Sequence, residues 1–156
     1  MKITLIDAGK RFNRDWIFRH LSYEFNTGHS YAITGPNGSG KSTLLQVIGA
    51  AADPSEGGVK YVYDAYVQAI APEKAYKYIS LAAPYLELIE EMTLPEFLNF
   101  HGAFKPFLRA LDTTTIISLL GLEGTKHKQI RNFSSGMKQR VKLAQSIFSE
   151  IGRAHV

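Results

Sequence analysis

The chain has 156 residues, of which 45% are hydrophobic and 21% charged, which fits one packed domain and excludes a disordered or low-complexity chain. A net charge of +4 suits a phosphate-rich ligand, but no long Lys/Arg block argues for nucleic acid, and residues 126–131 read as a solvated basic loop. With no cysteine there is no disulfide framework or thiolate metal site, and no apolar run of eighteen residues reads as a membrane helix.

Residues 1–7 lack the basic head and long apolar run of a signal peptide, and 2–6 read as a strand. Residues 21–25 alternate like a half-exposed strand, Thr27-Gly28 is a turn, and 30–34 read as an apolar strand entering a Gly-rich loop. From Lys41, the residues Leu44, Leu45, Val47 and Ile48 fall on one helical face. Asp53-Pro54 and Gly57-Gly58 are expected to end that helix. Strands are expected at 59–63 and 65–67 around a turn at Asp64, with another at 78–82. Helices are expected over 95–104 and 113–120, and a third from Ser135 carrying Val141, Leu143, Ala144, Ile147 and Phe148. Strands and one helix therefore precede a helical block, with no internal repeat.

Gly35-Pro36-Asn37-Gly38-Ser39-Gly40-Lys41-Ser42 fits the phosphate-loop pattern GxxxxGK[ST] between an expected strand and an expected helix. Little side-chain bulk lets successive backbone N–H groups curl around phosphate oxygens. The helix N-terminus adds unpaired N–H groups and a positive dipole end. Lys41 supplies a full charge for the β- and γ-phosphates of ATP. The Ser42 hydroxyl is the expected Mg²⁺ ligand, and Thr43 is expected to donate to the α-phosphate. The competing reading is a Gly-rich turn that happens to precede a helix.

Phe133-Ser134-Ser135-Gly136-Met137-Lys138-Gln139-Arg140 follows the loop by about ninety residues and precedes Val141-Lys142-Leu143-Ala144. By itself Ser134 reads equally as an ordinary helix N-cap. The segment resembles the signature motif of ABC ATPases, Leu-Ser-Gly-Gly-Gln followed by basic residues, and departs from it at Ser135 and Met137. A Cβ at Ser135 restricts the loop if its φ is positive. The resemblance implies an α/β phosphate-loop NTPase of the ABC ATPase fold: a RecA-like core with an antiparallel β subdomain and a helical subdomain. It further implies a head-to-tail dimer with a second ABC ATPase domain, in which Ser134 and Gly136 reach, in trans, the γ-phosphate on the partner.

Phe12 precedes Gly35 by 23 residues, where the family places an aromatic that stacks on adenine; Trp16 is a weaker candidate. The alternative for Phe12 is a half-buried strand aromatic. Residues 79–94 resemble the family's Q-loop stretch, with Pro84 at the position of the glutamine. Pro84 has no side-chain oxygen to offer Mg²⁺. The Mg²⁺-holding Asp and catalytic Glu come, in the family, from an apolar strand ending in Asp-Glu after the signature helix. This sequence contains no such run there, so the fold is expected to be incomplete at the C-terminus and the chain alone inactive. Among the histidines, His20, His29, His101, His127 and His155, none is expected to be a switch residue or metal ligand; all read as surface or loop residues.

Residues 1–149 are therefore expected to be the ABC ATPase domain and 150–156 a non-native tail. Ile-Gly-Arg-Ala-His-Val is what ATC GGA AGA GCA CAC GTC encodes, a string that resembles a sequencing adapter. The leading functional expectation is an ATP-binding, ATP-hydrolysing subunit that couples dimer closure to a transmembrane permease. Such a subunit is cytoplasmic, peripheral on the inner face of the membrane, with ATP and Mg²⁺ as cofactors and no direct nucleic-acid partner. The alternatives are a soluble ABC ATPase acting on ribosomes or DNA, and a non-hydrolysing nucleotide-binding module.

Overall fold

The structure, a computed structural model, describes residues 1–63, 66–83 and 87–150. The chain divides after residue 79 into two compact units.

The first unit holds an antiparallel sheet. Strand β1 (Lys2–Phe12) pairs with β2 (Asp15–Phe25) on one side and β3 (Glu56–Tyr63) on the other, and β4 (Tyr66–Ile70) extends β3. Helix α1 (Lys41–Ile48) lies on this sheet, burying Val47 with Leu5 and Ala8. Leu44 and Ile48 join them, since residues three and four apart share a helix face. Tyr61 is also buried, and its hydroxyl donates to the carbonyl of Val47 at 3.1 Å. Burial pushes that phenol up to about 12.

β1 and β2 are each eleven residues long, much longer than 2–6 and 21–25. Their charged extension, residues 8–19, lacks an apolar rhythm, yet it closes a tight hairpin because Asn13 tolerates φ 54. β1 is broken by a bulge at Asp7, φ 45, whose N–H donates to Ser22 Oγ at 2.9 Å. Gly57 must be glycine at this bulge. Its φ is +67, and a Cβ there would stand 2.1 Å from the Asp7 carbonyl oxygen.

Three expected features differ. Helix α1 stops at Ile48, before the Asp53-Pro54 signal, because Ala50 turns left-handed at φ 54. Ala51 N–H then bonds Gln46 O at 2.8 Å and Ala50 N–H bonds Val47 O at 3.2 Å, a Schellman closure. Residues 30–34 are not a strand, and 78–82 are not either. Neither segment has a pairing partner among the described residues, and extended backbone becomes a strand only through its ladder. Instead Pro72 opens a 3₁₀ turn, Pro72–Lys77, that runs into Tyr78. The expected strand at 65–67 is seen from residue 66 as part of β4; Asp64 and Ala65 lie outside the described residues, as do Pro84 and residues 151–156.

The second unit is helical. α2 (Leu94–Phe104) starts at Thr93, whose N–H and hydroxyl both donate to Glu96 Oε2, at 2.8 and 2.7 Å. That holds the Glu96 carboxyl below its ordinary range. α3 (Thr113–Leu119) is capped by Asp112, which accepts from Thr115 N–H at 2.7 Å. α4 (Ser135–Ile147) completes the set. Leu94, Phe97 and Leu98 of α2, Ile116 and Ile117 of α3, and Val141 and Ala144 of α4 form one core. Ile130 and Phe133 close it just before α4 begins.

His101 is half-buried in α2, not a surface or loop residue. Ser149 Oγ is hydrogen-bonded to the Gln145 carbonyl and lies 3.0 Å from His101 Nε2, while Gln145 Nε2 lies 3.3 Å from His101 Nδ1. This network assigns the neutral Nε2–H form to His101. Burial, with the charge of Lys105 added, lowers its pKa. The unfolded chain then binds this proton more readily, so stability is full above about pH 6.5 and falls as pH drops through that value. Urea midpoints across this range should show that loss, and His101→Gln should flatten it; an equal slope in the variant would contradict the assignment.

Candidate functional site

Residues 35–40 turn from extended chain into α1 without regular structure. Gly35, Gly38 and Gly40 have φ of +150, +83 and +88, which side chains other than glycine rarely adopt. Gly38 has open space around it, so its need is conformational alone. At Gly40 a Cβ would also stand 2.4 Å from Ile17 Cγ2, on β2. The loop is thereby seated against the β1–β2 hairpin.

Leu44 N–H makes the first helical bond, to Gly40 O at 2.8 Å. The N–H groups of Lys41, Ser42 and Thr43, in the first turn, have no helical acceptor. No acid occupies the first turn of α1, so nothing there competes with an anion. Lys41 Nζ donates to Gly35 O at 2.9 Å and Pro36 O at 2.7 Å, folding its charge over the loop. An ammonium has three donors, which leaves one for a ligand oxygen. Ser42 and Asn37 are exposed, Ser39 N–H bonds Pro36 O at 3.3 Å, and Thr43 is half-buried. The donors and charge in this loop suit a polyphosphate. Among the described residues no group of three or more His, Asp or Glu is placed to hold a metal ion.

Phe12 ends β1 opposite Asp15 and is 51% exposed. Lys10 Nζ sits 5.4 Å from its ring centroid. Trp16 is engaged differently. Arg19 lies 4.1 Å and Arg11 5.4 Å from its ring, and Arg19 also clasps both carboxylate oxygens of Glu56 at 2.8 Å. That guanidinium holds the Glu56 carboxyl below its usual range.

Ser134 and Gly136 belong to the helical unit. Ser134 is the N-cap of α4 and accepts from Met137 N–H at 3.3 Å, which leaves its hydroxyl proton to donate outward. Ser135 has an ordinary φ as the first residue of the helix, so its Cβ brings no strain. A Cβ at Gly136 would meet nothing within 4 Å, and the helix N-terminus around it is uncovered.

The sequence profile of the ABC transporter family matches residues 18–151. The chain belongs to the ABC transporter ATP-binding family. It is 30% identical over 154 residues to the ABC transporter ATP-binding protein YybJ of Bacillus subtilis, covering 95% of this chain and 66% of that one. It is 33% identical over 145 residues to the cytochrome c biogenesis ATP-binding export protein CcmA of Brucella abortus, covering 91% and 63%. Among solved structures, the ATP-binding subunit of an ABC transporter superposes with a TM-score of 0.76 at 22% identity, over 94% of this chain and 61% of that one. The cbiO1 subunit of the cbiONQ complex from Clostridium perfringens gives 0.65 at 22% identity, over 92% and 59%. These likenesses establish the ABC ATPase fold, and the chain spans about two thirds of the length of these relatives. The profile match begins after Phe12, so the family match itself does not reach that ring.

Ile17 was not legible as a neighbour of the loop, because it lies in residues 8–19, where no apolar rhythm marks a strand. Gly40→Ala should weaken ATP binding, because the new methyl meets Ile17 and the backbone is left-handed. Adding Ile17→Ala should recover part of the loss by calorimetric titration, whereas no recovery would mean that the backbone conformation alone decides it.

Proposed function

We propose that this chain carries the ATP-holding part of an ABC transporter's ATPase subunit. The observation that carries the reading is the bare, left-handed loop 35–40 opening into α1 with Lys41 folded across it. Gly35, Asn37, Gly38, Ser39 and Gly40 would present backbone N–H groups to the phosphates. Lys41 would neutralise the β- and γ-oxygens, Ser42 would take Mg²⁺, Thr43 would bond the α-phosphate, and Phe12 would stack on the base. The metal supplies charge neutralisation across the phosphates when bound.

Ser134 and Gly136 would act in trans. An uncovered helix N-terminus with an outward hydroxyl suits an anion presented by a second ATPase domain. Dimer closure would drive a membrane permease, placing the subunit in the cytoplasm at the membrane's inner face. Two other readings remain distinct in outcome: a soluble ABC ATPase working on ribosomes or DNA, and a nucleotide-binding module that does not hydrolyse.

Lys41→Ala removes a charge-assisted contact and should weaken ATP affinity roughly tenfold to a hundredfold. Ser134→Ala should keep monomer affinity and lose ATP-driven dimerisation, read by analytical ultracentrifugation. Unchanged affinity in the first variant would overturn the site assignment.

A further inference from the structure

Glu90 holds the N-terminal end of α4 from outside the helix at two points. Glu90 Oε1 accepts from Lys138 Nζ at 2.6 Å, with side chains 44% and 24% exposed. The same residue's carbonyl accepts from Arg131 N–H at 2.9 Å. Beside it, Ile130 N–H bonds Met92 O at 2.9 Å, and Thr93 bridges Gln129. Glu90 thus grips the chain on both sides of Ser134: by its backbone three residues before, and by its carboxylate four residues after.

The grip answers an electrostatic problem in α4. Lys138 is the fourth residue of the helix, where a cation opposes the positive end of the dipole, and the first turn contains no acid. Glu90 supplies the missing negative charge across 48 positions of sequence. A half-exposed pair of this kind adds little to folding stability. Its effect falls on where the first turn of α4 points.

We propose that Glu90, acting through Lys138, is a positioning residue that sets the direction of the Ser134 hydroxyl and the N–H groups beside it. This rests on the reading of Ser134 as the group that completes a partner's nucleotide site. Neither Glu90 nor Lys138 touches nucleotide; they orient what does.

The test is ATP-driven dimerisation of the whole subunit. Glu90→Gln and Lys138→Met should each weaken it roughly threefold to fivefold, with monomer ATP affinity and melting temperature unchanged. The charge swap E90K/K138E should restore it. Because half-exposed pairs are screened, high salt should erase the difference between wild type and the single variants. A merely structural role would not show that salt dependence or the rescue. Single variants that dimerise like wild type, a swap as weak as the singles, or a defect that survives high salt would each overturn the proposal. If a single variant melts early, the swap decides. Ser134→Ala separates the two layers. Normal dimerisation in that variant sinks the reading of Ser134 and this proposal together, whereas a dimerisation defect there with none in Glu90→Gln sinks only the positioning role.

Discussion

The close approach of Gly40 to Ile17 is the constraint on which the shape of loop 35–40 depends. A loop that must offer backbone N–H groups to an anion cannot carry bulk, and a bare loop has too few contacts to hold its own shape. Ile17 resolves this by standing where a Gly40 side chain would be, so the loop's final turn is fixed by the hairpin beneath it. The hairpin in turn depends on Asn13 at its tip and on the bulge where Gly57 meets Asp7. Lys41 adds the second restraint by bonding two loop carbonyls with its own ammonium.

The helical unit solves a different problem. α2, α3 and α4 are short, and short helices are marginal without tertiary packing. Their shared core of Leu94, Leu98, Ile116, Ile130 and Val141 is sealed from solvent. Ile130 and Phe133 are buried in that core immediately before Ser134, so the exposed N-terminus of α4 follows directly on two anchored residues. Buried apolar anchors behind an exposed polar cap let a small motif hold a direction.

Much of this was legible in sequence where chemistry and local geometry coincide. The glycines and Lys41 carried the expectation of a phosphate loop, and the helices expected over 95–104, 113–120 and from Ser135 came from apolar periodicity. The hairpin's length was not legible, since residues 8–19 are held by cross-strand bonds and Arg–Trp stacking rather than by an apolar pattern. The stop of α1 at Ala50 was hidden because alanine gives no left-handed signal. Residues 30–34 have a strand's composition but no partner strand among the described residues, and composition cannot report a partner. Glu90 and Lys138 were out of reach for the same reason: a contact across 48 residues leaves no local trace. His101 read as a surface or loop residue because its hydrogen-bonding neighbours, Gln145 and Ser149, lie more than forty residues along the chain.

The central claim is that this chain recognises its ligand by phosphate, through loop 35–40 and Lys41. Calorimetric titration with ATP and with adenosine, both in Mg²⁺, tests it most directly. The account predicts much tighter binding of ATP, with the difference shrinking as salt rises. Equal affinity for the two, or binding of neither, would contradict it.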